Sequence, residues 1–358
     1  MILIAERDHR QAGGAELYTA RLTDALMAAG HEVHHLDVHG LSKGLPQDPA
    51  ARPSPLPALL AWALVCRQAR AIAPAYNHVI LAYGDGPPLQ TPTTTIHHAP
   101  WLFSCHPSHL RALRKPTHTI RRGYTRLCHH IAGAGAIGQT PARIANSEWT
   151  AQQIAGATTV LYPPLDTSPL GTPTTERTAC SILSIGRISA EKAPEKSIAL
   201  LTTLRAGGYP AQLALIGRAQ SRFASRFIKR HRNKVGLSLY PNATFAARAM
   251  LLARTRYGYH PTAPEHFGIS VGEMIAAGIL PIVAPSGGVT ELVPHAMLHA
   301  TTPHEAAAKI LALEAAGPEV RARLRAELQS GTAFVQARDF ERQAHAVITS
   351  LFTSRHAA

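Results

Sequence analysis

Apolar runs of strand length alternate with segments of helical period along nearly the whole chain, and this rhythm constrains the fold more than any other feature. "MILIAE" reads as a strand, "GGAELYTARLTDALMAAG" as an amphipathic helix closed by Gly30, and "HEVHHLDV" as a strand again. "PALLAWALVCRQARAIAP" is then a helix and "HVILAYG" a strand. Parallel strands need long crossovers, and a helix supplies them, so the order predicts a parallel sheet with helices on both faces. The rhythm breaks once, at "LYPPLDTSPLGTPTTERTA" (161–179), where four prolines and many threonines mark a linker. It restarts with the strand "CSILSIG", the helix "PEKSIALLTTLRAGG" and the strand "AQLALIG". The helix "ARAMLLART", the short strand "YGYHP", the helix "GISVGEMIAAG" and the strand "ILPIVAP" follow, and the chain from Pro318 onward is mostly helical. The expectation is two doubly wound, Rossmann-like domains, residues 1–165 and 166–335, with a helical segment 336–358. Open parallel sheets bind ligands at the carboxyl ends of their strands, so functional residues belong in the loops that follow strands, facing a cleft between the domains.

Composition narrows the function. The 358 residues are 46% hydrophobic, enough for ordinary cores. The longest nearly uncharged run, Leu56 to Cys66, is too short to span a bilayer, and the N-terminus lacks the order of a signal peptide, so a cytoplasmic protein is expected. Cys66, Cys105, Cys128 and Cys180 form no CxxC pair, which excludes a disulfide framework or a zinc ribbon. The 21 histidines include three doublets but no HExxH, and no metal site is expected. Thirty-six Lys and Arg against 22 acids give a net charge of +14, a surface suited to phosphates. The basic clusters at Arg111 to Arg126 and Arg218 to Lys234 read as solvated surface or as anion contacts.

Three post-strand loops carry chemistry. In "RDHRQAGGAELY", Gly13 and Gly14 open a helix whose free N–H groups can meet an anion. The pattern is neither GxGxxG nor a Walker motif, which disfavours NAD binding and P-loop hydrolysis. In "SIGRISAEKAPEKS", Gly186 precedes Arg187, and Lys192 follows five residues on: a fork and a point charge able to grip a diphosphate. In "PEHFGISVGEMIAAGILPIVAPSGG", Glu265 lies in the loop, Gly268 permits a sharp entry, and a helix begins near Ile269 or Ser270 with unpaired N–H groups. Glu273 lies about one turn inside. Two carboxylates around a helix start can hold hydroxyl groups at opposite ends of an extended ligand, such as a sugar and a ribose joined by a diphosphate. They also suit a plain helix-dipole pairing.

With "GGAE", "ANSEWT", "YPPLD", "GRISAEK", the E-x7-E pair Glu265/Glu273 and "SGGVTELV" in this order, the chain resembles glycosyltransferase family 4, the retaining GT-B enzymes. The wording "EHFGIS" is most similar to mannosyltransferases that use GDP-mannose. The resemblance implies that Gly13 and Gly14 approach the donor phosphate and that Gly186, Arg187 and Lys192 meet the diphosphate. Glu265 would contact the donor sugar, with the backbone of His266, Phe267, Gly268, Ile269 and Ser270 around hydroxyls and phosphate. Glu273 would accept from the ribose. His98, in "TTTIHHAPW", matches a histidine near the donor sugar, although His97 is easily confused with it. The catalytic set is then Glu265, His98, Arg187 and Lys192, and the segment 336–358 would cross back to the first domain. The sequence departs from the family at Ala193-Pro194, where Lys-Gly is usual in place of Lys-Ala, and at Gly272, where valine is usual and a close ligand approach would account for glycine.

No DxD pair occurs, so no metal is expected, and cations with the helix start replace it. The implied reaction moves a mannose- or glucose-type sugar from GDP-mannose or a UDP- or ADP-glucose donor to an acceptor hydroxyl, with no bound cofactor. The acceptor is expected to be a small sugar or a lipid-linked one, with Arg121 and Arg122 as anion contacts and peripheral membrane contact through the basic surface. An epimerase or phosphorylase on the same architecture remains an alternative. So does a non-catalytic anion- or nucleic-acid-binding protein, although the basic segments lack the aromatic interleaving of RNA binders, and no nucleic acid is expected.

Overall fold

The computed structural model describes residues 1–8, 13–44, 54–84, 86–99, 117–133, 141–154, 156, 158–165, 177–332, 335 and 337–353. They form two compact units, Met1–Pro164 with Arg338–Ala358, and Leu165–Ala337. The first holds β1 (Ile2–Ala5), α1 (Gly14–Ala28), β2 (Val33–Asp37), β3 (Gly40–Lys43), α2 (Ala58–Ile72), β4 (His78–Leu81) and β5 (Thr93–His97). It continues through α3 (Thr117–Ala132), β6 (Ala142–Ala145), α4 (Glu148–Gln152) and β7 (Thr159–Val160). The sheet order is β3-β2-β1-β4-β5-β6-β7. All pairings are parallel except β2 with β3, an antiparallel edge that the reading of an all-parallel sheet did not contain. Alternate residues of β1 explain the two-faced core. Leu3 and Ala5 pack with Trp62, Val65 and Cys66 of α2, whereas Ile2 and Ile4 pack with Tyr18 and Leu22 of α1.

The second unit runs β8 (Thr178–Ile185), α5 (Pro194–Ala206), β9 (Gln212–Gly217), α6 (Arg222–His231), β10 (Leu237–Pro241), α7 (Phe245–Arg254) and β11 (Thr255–His260). Then come α8 (Ile269–Ala276), β12 (Leu280–Val283), α9 (Val289–Leu292), α10 (Pro303–Ala315) and α11 (Gly317–Gly331). Its five strands are parallel in the order β10-β9-β8-β11-β12. The order reverses direction between β8 and β11, and such a switch point leaves a crevice at the carboxyl ends of the two strands. The terminal helix α12 (Ala337–Thr353) places Phe340, Ala344 and Ile348 in the core of the first unit beside Ile2, Ile4 and Tyr18. Among the described residues no helix is long and apolar enough to cross a membrane.

Candidate active site

The crevice of the second unit is an open cleft lined by Gly186 and Arg187 after β8, by Lys192, and by His260 and Thr262 at the end of β11. Glu265 stands at its edge. Lys192 Nζ donates to Glu265 Oε2 at 2.6 Å, and His260 Nε2 meets the same oxygen at 2.8 Å. Among the described residues Oε1 carries no hydrogen bond. Burial pushes the Glu265 carboxyl up, but the hydrogen bond and charge of His260, followed by Lys192, outweigh it and hold the group well below the usual carboxylate range. Glu265 is thus a fixed anion near neutral pH and not a proton donor.

The serine-glycine-glycine run that follows β12 explains how Glu265 is held. The Glu265 N–H donates to Ser286 O at 2.9 Å, and Gly287 has φ +103. A Cβ on Gly287 would lie 2.0 Å from the Glu265 carbonyl oxygen, so only glycine lets the two turns touch. The chain then enters α8 through Gly268, a left-handed N-cap with φ 97 and no side-chain cap. Val271 N and Gly272 N both donate to Gly268 O, and the preceding N–H groups of Ile269 and Ser270 lie at the helix start. The Phe267 side chain is buried and anchors the loop, while His266 is half-buried.

Glu273, inside α8, is paired with Arg248 Nη2 of α7. Gly272 beside it answers to packing, not to a ligand. A Cβ there would fall 2.5 Å from Leu165 Cδ1, and Leu165 is buried. The close approach expected from a ligand is made by Leu165. Arg187 lines the same cleft as Lys192, with its side chain 64% exposed and paired with Glu191. Lys192 closes a short helical turn, and Ala193 after it has φ 47 and ψ 50. That left-handed conformation is the physical reason glycine suits the position.

In the first unit, Gly13 is the extended N-cap of α1 and Gly14 its first residue. Arg7 lies 3.7 Å from Glu16 and stacks over the Tyr83 ring at 4.7 Å. His97 is buried within β5 against Thr95 at 3.0 Å. His98 is the residue that leaves the strand, half-buried and edge-on to Tyr18 at 5.0 Å, its carbonyl accepting from Asn146 Nδ2. This separates the two histidines: His97 belongs to the sheet. Arg122 is exposed on α3, which also contains Arg121, while Arg111 and the five residues after it lie outside the described residues. Among the described residues, Asp8, Asp37 and His39 bring ligand-type atoms within 4.8 Å of one another, a grouping no sequence spacing announced.

Sequence reasoning missed His260 and Arg248. His260 had a signal: it ends the strand that feeds the Glu265 loop. Arg248 had none, since its partner lies 25 residues away.

Residues 174–329, just under half the chain, match the family described as Glycosyl transferases group 1. No curated protein sequence matches. Among solved structures, the chain is similar to Anabaena HepE in complex with UDP and glucose, at 16% identity and TM-score 0.64, with 98% of this chain and 99% of that one covered. It is also similar to sucrose-phosphate synthase from Thermosynechococcus elongatus, at 15% identity and TM-score 0.68, with 99% of each chain covered. WaaG, a glycosyltransferase involved in lipopolysaccharide biosynthesis, matches at 11% identity and TM-score 0.69, over 98% of this chain and 100% of that one. These likenesses give the fold, GT-B, with its two parallel-sheet units.

Proposed function

From the premise that the chain is a glycosyltransferase carrying a group 1 domain, we propose that it moves a mannose- or glucose-type sugar from a nucleotide diphosphate donor to an acceptor hydroxyl, with retention and without a divalent metal. The observation that carries this reading is Glu265: an ionised carboxylate fixed by Lys192 and His260 beside the uncapped start of α8, with one oxygen open. Oε1 accepts from a donor-sugar hydroxyl. The α8 N–H groups and Lys192 face the diphosphate. Glu273, partnered by Arg248, accepts from the ribose hydroxyls. Arg187, free to swing from its exposed pairing, adds a second cation.

In the reaction the bond between the anomeric carbon and the phosphate oxygen breaks, and its electron pair leaves with the diphosphate. The acceptor oxygen bonds to the same face of the sugar, and its proton passes to the leaving phosphate. Preorganised cations and N–H groups stabilise the charge that develops there, an effect worth several kcal/mol in comparable sites. For His98 the reading is a catalytic contribution, and for Arg121 and Arg122 a contact to an anionic acceptor, a small or lipid-linked sugar. Gly13 and Gly14 keep the role of a donor-phosphate contact.

The test is a panel of GDP- and UDP-sugars with ADP-glucose, read by calorimetry and by release of the nucleotide diphosphate. One donor should bind and turn over, EDTA should leave the rate intact, and NMR of the product should show the donor's anomeric configuration. Glu265→Ala should lower turnover at least about 100-fold, as for loss of a site group acting in the transition state, and His98→Ala should lower it without abolishing donor binding. Absence of binding by every donor, or an unaltered Glu265→Ala, would overturn the reading.

A further inference from the structure

From Lys196 to Pro264 the chain holds twelve Lys and Arg and not one Asp or Glu. The structure gathers part of that charge on one helix. Ala224 and Phe227 of α6 face the core, while Arg222, Arg226 and Lys229 are exposed. Arg232 and Lys234 follow in the turn, with Val235, 70% exposed, directly after them. Among the described residues these five cations form no ion pair. Arg230 and His231 of the same helix reach Glu195. Uncompensated like charges within two helical turns repel one another, and an anionic surface relieves that repulsion.

We propose that this face docks the second unit on an anionic phospholipid bilayer. Two features favour a bilayer over nucleic acid. The aromatic rings of α6 are engaged within the protein: Phe223 stacks on Phe227 at 6.2 Å and Phe227 lies 4.8 Å from His231, so the outward face offers no ring for base stacking. Val235 adds an aliphatic group beside the cations, the pairing of charge and apolar contact that interfacial binding uses. None of these five cations lines the cleft at Lys192, and the proposal does not depend on the donor reading.

The experiment is sedimentation of the full chain with vesicles of phosphatidylcholine alone and of phosphatidylcholine mixed with phosphatidylglycerol, at low and high salt. Binding is expected to the anionic vesicles only and to fall with salt. The triple variant Arg222→Gln, Arg226→Gln, Lys229→Gln should lower partition on the order of 100-fold, from about 1 kcal/mol per cation near the surface, with its melting profile unchanged. The double variant Arg232→Gln, Lys234→Gln is an independent reading should the triple fail to fold. The charge-keeping pair Arg222→Lys and Arg226→Lys, with Lys229 left as it is, should keep binding. A charge-matched control, Lys43→Gln, Arg67→Gln and Arg323→Gln, should lose little. Equal loss in the control, equal binding to uncharged vesicles, or tighter binding to a labelled single-stranded oligonucleotide than to anionic vesicles would overturn the proposal.

Discussion

Glu265 carries its charge where burial alone would remove it, and this makes its contribution to stability readable by pH. Its folded-state pKa lies below the unfolded one, so the stabilisation is complete above about pH 4.5, the ordinary carboxylate value, and is lost as pH falls below it. Glu265→Gln is expected to cost about 1–3 kcal/mol near neutral pH, because Lys192 and His260 lose a charged acceptor. In urea unfolding across pH, the gap between wild type and variant should close as the solution is acidified. A gap that does not change below pH 4.5 would mean that the His260 and Lys192 contacts do not hold the carboxylate. Ala193 tests the neighbouring turn. A left-handed alanine costs about 1–2 kcal/mol, and glycine returns part of that as extra freedom in the unfolded chain. Ala193→Gly should therefore raise stability by about 0.5–1 kcal/mol, seen as a higher melting temperature. At Gly272 the sign reverses. Valine improves helix propensity by a few tenths of a kcal/mol, but its Cβ meets Leu165, and overpacking costs about 1–3 kcal/mol. Gly272→Val should destabilise, and Leu165→Ala in the same chain should cost less than the two single changes added together.

At the scale of elements, Arg177 joins three of them in the second unit. Its guanidinium donates to Leu252 O at 3.1 Å, Thr255 O at 2.5 Å and Ala277 O, closing the carboxyl ends of α7 and α8. Burial, and then the charge of Arg325, push its pKa down to about 10, so it remains a cation in neutral solution. Arg177→Met should destabilise the second unit by about 2–4 kcal/mol, since buried carbonyls at two helix ends lose their donor. Urea unfolding measures it, and a change under about 0.5 kcal/mol would show that water replaces the side chain. Arg177 also marks the limit of what the sequence makes legible. The apolar strands and the periodic helices were readable because burial of one stripe or of both sheet faces leaves a local pattern. So was the Glu265 loop, with glycines at positions that demand them. β5 was not, because Thr93, Thr94 and Thr95 read as polar until Thr91 O, His78 and Ala142 O supply their partners. The pairing of Arg248 with Glu273 and the outward turn of Arg187 toward Glu191 depend on tertiary placement and on an exposed ion pair, neither of which leaves a mark in residue order.

At the scale of the molecule, the chain leaves its first unit at Pro164 and returns at Arg338 to complete it. The return has energetic content. Phe340, Ala344 and Ile348 are each at most 3% exposed and cover the face of the first sheet that also packs on Tyr18 and Leu22. Without α12 those residues meet water, while every strand and helix of the second unit's own sheet remains present. Truncation after Ala337 should thus remove at least about 5 kcal/mol from the first unit, taking the loss of buried Phe and Ile side chains at about 3–5 and 2–5 kcal/mol each. The second unit should be nearly unaffected. Hydrogen exchange distinguishes this from a uniform loss. Amides of β1 and β4 are expected to lose protection, those of β8 and β9 to keep it, and calorimetry should show one transition moving down while the other stays. Equal loss of protection in β1 and β8 would mean that the two units unfold as one cooperative body, with α12 stabilising both.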